Sequence, residues 1–560
     1  MTEEKQTMKF THASILLLIT VLSQTATAAD WPQYGGSDGR WIADEGDHQY
    51  LQDWSKAQLV WTSEAAEIGP GRGQAPRYGF RNADPNGINP WGGAASPIIA
   101  DGLLYQVYLR PVGNIYNKAV VEKIEKQWRD REGFSIEHLR RNFSIEAETV
   151  VVAIDVKNGK TVWRQSFRGV QYNGDFAKPR GSNNSPAAGD GKVFVLGYDF
   201  VLRAHDARTG NILWHTKQPE GYATDLQIML KSGSNFIRML NNQGQPTTRT
   251  RATTLYAPPL RYADGVVLYS FDSRTLIAVD GKTGKELWRA KNSITSREVV
   301  AIWRRGKDKS ACFVAVSKGG TVACFEVRSG KKLWELAGKG ETFHPTVAGD
   351  LLLINETNTG GGQPVATLGC YRMSDSGAEQ LWINTQEQQL THAAASVRLF
   401  HANRFIIGSW AGPLSHKDGK KQSRAALRFF DAQTGKVDEP LRLLRGVEHT
   451  SLAPDSMVTV IGDRLYVEND SHHQSNTTRT IVDLKTNKVV TQYKAPFETA
   501  GGYGGTVINQ PVVDGRLYLH CVDGHIRCYD VTTASRASTT KLFLGPAVDS
   551  NDRNLDRRIR

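Results

Sequence analysis

Apolar residues alternate with polar ones along most of the chain, and the alternation returns in a recognisable unit. It reads "VVAIDVKNGKTVW" ending at Trp163, "VLRAHDARTGNILW" at Trp214, "TLIAVDGKTGKELW" at Trp288, "TVACFEVRSGKKLW" at Trp334 and "LGCYRMSDSGAEQLW" at Trp382. Degenerate copies follow as "ALRFFDAQTGKV" around Asp431, "TIVDLKTNKVV" around Asp483 and "HIRCYDVTTAS" around Asp530. Alternation of period two marks a half-buried strand, and a Thr-Gly or Asn-Gly pair between two such runs reverses the chain. Each unit is therefore a hairpin whose second arm carries Trp. Upstream of most lies another hairpin turning at Asp-Gly or Gly-Asp-Gly, as in "SPIIADGLLYQVY" from Ser96 and "SPAAGDGKVFVLG" from Ser185. Four antiparallel strands, A to D, make one repeat. Eight repeats predict an all-β, eight-bladed β-propeller.

The last repeat lacks a good outer strand with Trp, while "AQLVW" ending at Trp61 is a strand with no hairpin before it. The N-terminal segment is thus expected to supply strand D of blade 8 and close the ring, leaving no open edge between first and last blades. Residues 29–545 would form that propeller and 546–560 a basic C-terminal tail. Strand order also assigns faces: the A–B and C–D turns share one face, and the B–C and D–A connections the other. The long insertions fall in the second class: 109–148, with an amphipathic helix expected from Asn117 to Arg131, then 217–256, and B–C loops at 355–368, 409–426 and 469–479. Residues 64–93 form a Gly- and Pro-rich lead into blade 1. Long loops on a rigid scaffold are where sites tend to lie.

The start of the chain departs from this pattern. Lys5 and Lys9 precede the apolar run Ala13–Leu22, and "SQTATAAD" follows, the layout of a cleavable secretory signal over residues 1–28, cut before Ala29 or Asp30. The run is shorter than the roughly 20 apolar residues that spanning requires. No cysteine stands at the cut, so no lipobox is present, and a free periplasmic or secreted protein is expected. The net charge of +12 favours anionic partners such as acidic polysaccharides or envelope components, or else reflects a solvated basic surface. Lys and Arg are scattered apart from the tail "RNLDRRIR", which does not suit nucleic-acid binding.

Candidate chemistry gathers where inner strands begin, around the channel mouth on the long-loop face. His344, His392 and His449 precede or begin strand A of three successive blades. Three neutral imidazoles suit a divalent metal, and His344, His449 or Tyr503 could serve as general base. Glu356, Glu448 and Asp470 are candidate carboxylates. Trp91, Arg180, Asn184, Tyr256, Arg297 and Asn509 are candidate ligand-binding residues at the mouth. Against convergence, the histidines stand at unequal distances from the next A–B turn, so loop packing is the competing reading.

Cys324, Cys370 and Cys528 occupy the strand-C slot held elsewhere by Ala153, Ala204 and Ala278, which makes them small core residues first. Cys521 and Cys528 flank an Asp-Gly turn and are expected to face each other, which leaves a cross-strand disulfide open. The pattern of Ala-x-Asp, Thr-Gly and Trp resembles the tryptophan-docking repeat of the PQQ-like propeller superfamily, and "DWPQYGG" from Asp30 is similar to the start of exported bacterial proteins with these repeats. The resemblance implies either a quinoprotein dehydrogenase or a scaffold similar to the propeller subunit of the outer-membrane assembly machinery. Those dehydrogenases use adjacent cysteines beside PQQ; this sequence has none, which argues against PQQ as cofactor. A metal-dependent site for an acidic glycan is the remaining expectation.

Overall fold

A computed structural model describes residues 30–37, 39–68, 95–111, 145–171, 185–197, 199–219, 258–271, 274–294, 300–306, 309–317, 320–337, 345–358, 365–384, 398–411, 424–438, 441–442, 457–469, 478–494, 510–521 and 524–533. They form eight antiparallel sheets, each with four strands in simple succession, and one of them gains a fifth. Blade 1 has strands Ile98–Ala100, Leu103–Pro111, Ile145–Asp155 and Thr161–Gln171. In blade 8, Val512–Val513, Arg516–His520 and Ile526–Asp530 are completed by Gln58–Thr62, with Trp61 paired to Cys528. The ring is closed by its N-terminal strand, as the orphan repeat requires.

The repeat chemistry explains why successive blades stack. Each Trp pairs across strands C and D with a small residue: Ala153 with Trp163, Ala278 with Trp288, Cys324 with Trp334, Cys370 with Trp382 and Cys528 with Trp61. The small partner leaves the indole free to lean onto the next blade. There its Nε1–H donates to the carbonyl that follows the turn Asp or Glu: Trp61 to Val156 (2.8 Å), Trp163 to Ala207 (2.9 Å), Trp288 to Val327 (2.8 Å) and Trp382 to Ala432 (2.9 Å). The ring lies on the turn glycine of that blade. At Gly159, with φ +75°, an added Cβ would stand 2.7 Å from Trp61 Cε3, so both backbone conformation and space demand glycine. Where strand C carries Phe429 or Ile481 in the slot, strand D has no Trp.

Trp334 is the exception. In blade 5, strands C and D run on to pair Ser374 with Gly377, so Met373, which replaces the accepting residue, is drawn into the ladder opposite Ala378. Buried like its counterparts, the Trp334 Nε1–H finds no acceptor.

The structure corrects several sequence boundaries. Strands B and C of blade 1 run on as a paired arm through 109–111 and 145–148, where Arg110 and Glu148 form an ion pair. The other B–C loops shorten likewise, because Leu351–Asn358, Arg404–Ala411 and Thr478–Asp483 reach into 355–368, 409–426 and 469–479. The expected helix Asn117–Arg131 lies outside the described residues, among which the helical element is a single 3-10 turn, Trp54–Lys56. One long connection falls on the short-turn face, since residues 304–311 join strands A and B of blade 4.

All five cysteines are buried thiols. Register places Cys528 opposite Tyr518, while the Cys521 N–H donates to His525 O (2.8 Å), so Cys521 and Cys528 are not cross-strand partners and the expected facing pair does not form. The Cys324 thiol instead shares a hydrogen bond with that of Cys312, and this with burial holds its pKa far above the ordinary thiol value.

Candidate functional site

Residues 30–50 are a strap laid across the channel. Asp30 Oδ1 accepts from the Asp101 N–H (3.2 Å), and Trp31 exchanges two backbone bonds of 2.9 Å with Ile99 in strand A of blade 1. The Pro32 carbonyl accepts from Ala188 in blade 2 (2.8 Å), and Gln33 Oε1 from the Tyr262 N–H in blade 3 (3.1 Å). Buried Arg261, also in blade 3, donates from Nη1 to the Tyr34 carbonyl and from Nε to Val300 O (2.8 Å). The strap then turns through Gly35, Gly36 and Gly39, all at positive φ. It next adds Ile42–Ala43 as a parallel strand to strand A of blade 7, and reaches blade 8 through His48–Asp514 (2.7 Å).

Blades 3 and 7 stand opposite in an eight-membered ring, so the strap crosses the channel. Every inner-strand contact is beside an A–B turn: Ile99 by Asp101, Ala188 by Asp190, Tyr262 by Asp264, Val460 by Gly462. The short-turn end of the channel therefore has a floor. Sequence reasoning missed this floor; its one signal was the Gly-Gly turn in "DWPQYGG".

The predicted site residues His344, His392, His449, Tyr503, Trp91, Arg180, Asn184, Tyr256, Arg297 and Asn509 all lie outside the described residues, as do Glu448 and Asp470. Glu356 is in strand B of blade 5, paired with Thr367. Among the described residues no three His, Cys, Asp or Glu side chains gather as a metal site. Described histidines instead do structural work: His401 bonds Asp463 of the next blade (2.9 Å), and burial keeps its pKa low against the pull of that carboxylate. Buried His205 donates from Nδ1 to Gly210 O (3.0 Å) and lies against the Trp163 ring, its pKa lowered by burial. A cavity of about 10 Å³ between blades 7 and 8, lined by Thr459, Arg479, Thr480 and Gln510, has room for one water and not for a substrate.

A family model described as outer membrane protein assembly factor BamB matches residues 125–242 and 272–540. A lanthanide-dependent methanol dehydrogenase of Methylorubrum extorquens is 29% identical over 177 residues, covering 30% of this chain and only 28% of that protein's length. Similar solved structures include BamB from Moraxella catarrhalis, with 14% identity and TM-score 0.39 over 68% of this chain and 88% of that one. Quinohemoprotein alcohol dehydrogenase from Comamonas testosteroni has 12% identity and TM-score 0.47 over 92% and 83%. The blade count rests on strand pairing, independently of these likenesses. Among the described residues no helix is long and apolar enough to cross a membrane.

Proposed function

As the chain belongs to the PQQ-like propeller-repeat family whose model is described as outer membrane protein assembly factor BamB, we propose that it is an exported protein that binds an anionic polymer, an acidic glycan first, at the long-loop face of its channel. The observation that supports this reading is the floor: the strap crosses the short-turn end of the channel, so an occupant would enter from the opposite end. The net charge of +12 supports an anionic occupant. In this reading the leader 1–28 is removed on export, and Trp91, Arg180, Asn184, Tyr256, Arg297 and Asn509 contact the polymer. A divalent ion on His344, His392 and His449 would supply neutralisation of a uronate carboxylate; Tyr503 would take the proton from the carbon beside it, and the glycosidic C–O bond at the next carbon would break, its oxygen leaving protonated by solvent, which is the reaction of a lyase.

The family's redox cofactor fits this chain poorly. Its five cysteines stand at 312, 324, 370, 521 and 528, no two adjacent and all buried in blades, so the adjacent-cysteine ring cannot be built. No step is routed through PQQ.

A second reading, a protein-binding scaffold, is favoured by the description of the matching family and by exposed aliphatic side chains on the outer strands of consecutive blades: Leu59, Val162, Leu213 and Leu287.

The deciding experiment is elemental analysis of the purified exported protein and of His344→Ala, beside a binding and cleavage screen against acidic polysaccharides and a dye-linked assay with PQQ and calcium. Stoichiometric metal lost with His344, and binding of a uronate polymer, are expected. Metal-free protein that binds no polysaccharide would overturn the glycan reading in favour of the scaffold, and PQQ-dependent turnover would overturn both.

A further inference from the structure

The turn that receives the closing strand differs from its counterparts at the residue before the glycine. At 209–210, 283–284, 329–330 and 434–435 the docked glycine follows Thr or Ser, whose hydroxyl donates to the acid that opens the turn: Thr209 to Asp206 (2.9 Å), Thr283 to Asp280 (2.8 Å), Thr434 to Asp431 (2.7 Å) and Ser329 to Glu326. In blade 1 the pair is Asn158–Gly159, and the Asn158 carboxamide is held at both ends. Its Nδ2 donates to Asp155 Oδ2 (3.0 Å), and its Oδ1 accepts from the Lys160 N–H (2.9 Å), while the Gly159 N–H donates to Asp155 O (2.9 Å). The closing segment clasps this turn. Trp61 lies on Gly159 and donates to Val156 O, the Glu64 N–H donates to the Gly159 carbonyl (2.9 Å), and Glu64 Oε2 accepts from the Thr161 N–H (2.9 Å). Asn158 is itself exposed, so solvent reaches it; what the closed ring withholds is the freedom of the groups that could react.

We propose that Asn158 is a modification site gated by ring closure, deamidating when the closing segment leaves the blade 1 turn. In the reaction the Gly159 nitrogen gives its proton to base and attacks Asn158 Cγ. The Cγ–Nδ2 bond breaks, ammonia leaves, and water opens the resulting cyclic imide to aspartate or isoaspartate. Glycine suits the attack because no side chain stands beside its nitrogen. In the closed ring neither partner is free, since the Gly159 N–H is engaged by Asp155 O and the carboxamide is pinned at both ends. Thr209, Thr283, Ser329 and Thr434 carry no carboxamide, so this chemistry belongs to the seam turn among these five. Isoaspartate carries the main chain through its side chain, which adds a backbone carbon ahead of Gly159. There is no room for it, because even an added Cβ at Gly159 would stand 2.7 Å from Trp61 Cε3. A seam that opens and forms isoaspartate therefore does not close again, whatever the channel binds.

The test incubates the purified full chain in mildly alkaline buffer and follows residue 158 by peptide mass and by labelling with a protein-isoaspartate methyltransferase, read apart from the Asn–Gly pairs at 86–87 and 173–174. Trp61→Phe, which removes the indole hydrogen bond, should speed deamidation of Asn158 by about tenfold or more over wild type, the factor given by about 1.4 kcal/mol of easier local opening. Wild type in denaturant below its unfolding transition supplies the same reading without a variant: the rate at Asn158 should rise in step with amide exchange over 155–160. Asn158→Asp keeps the backbone length and should keep residues 58–62 protected, whereas chains carrying isoaspartate at 158 should lose that protection. A rate at Asn158 that is the same in folded and fully denatured chains, or no reaction even in the denatured chain, would overturn the gating. Isoaspartate at 158 beside a fully protected closing strand would overturn the claim that it bars closure.

Discussion

Trp61 and Trp334 offer a controlled comparison within one molecule. Each is 7% exposed, and each pairs with a cysteine in strand C of its blade, but only Trp61 has an acceptor for its indole N–H. Replacing either by Phe removes the same ring atoms at the same burial, so the packing loss largely cancels between them. In Trp61→Phe the Val156 carbonyl is stranded, costing about 1–3 kcal/mol. In Trp334→Phe a donor that already lacks an acceptor disappears, which relieves a penalty of similar size. The first substitution should therefore be worse by about 2–6 kcal/mol. Propellers of this size need not unfold in one step, so the measurement is amide hydrogen exchange at the docked turns. Protection over 155–160 should fall in Trp61→Phe by about tenfold or more beyond any fall over 372–377 in Trp334→Phe, since tenfold corresponds to about 1.4 kcal/mol. Equal losses would show that ring packing alone holds the blades and that the carbonyl is incidental.

Two further outcomes follow from the buried polar groups. His205 is held neutral by burial, so its folded pKa is depressed, and the unfolded chain takes up the proton first as pH falls below about 6.5. The wild type should thus lose stability through that range. His205→Phe, which places at this register position the residue type found at Phe325 and Phe430, should flatten the acid side of a melting-temperature profile, and an unchanged profile would acquit His205. Arg261→Met strands the Tyr34 and Val300 carbonyls, so residues 30–50 should become cleavable by added protease while the blades stay resistant; an equally resistant strap would show that it does not depend on Arg261.

What could be read from the chain was whatever the repeat imposes on itself. The Trp, the small residue opposite it and the turn glycine recur because each satisfies its neighbour in the next blade, and that consistency made the blade count, the closing strand and the core role of Cys324, Cys370 and Cys528 visible. The Cys521–Cys528 expectation failed because it assumed the shortest hairpin, whereas Tyr518 is the residue across from Cys528. The loops of 355–368 and 409–426 looked longer than they are because strand pairing continues past the conserved-looking core of each unit into Asn358 and Ala411. Candidate site residues such as His344 and Tyr503 belong to connections with no repeat, where periodicity has nothing to say about convergence.

The strap shows why such a fold separates its two faces. Short turns bring Asp190, Asp264, Asp463 and Asp514 to one end of the channel, where their own backbones adopt or adjoin positive φ and their carboxylates serve neighbouring groups: Asp190 the Tyr262 hydroxyl, Asp264 the Ala311 N–H, Asp463 His401 and Asp514 His48. Every one of these groups is committed to holding blades or strap in place. A residue so committed cannot be spent on a changing ligand without loosening the ring. The opposite face carries the B–C and D–A connections, whose sequences lie outside the repeat. Variation in substrate or partner can then accumulate in those connections while the floor, the closing strand and the docked indoles stay as they are.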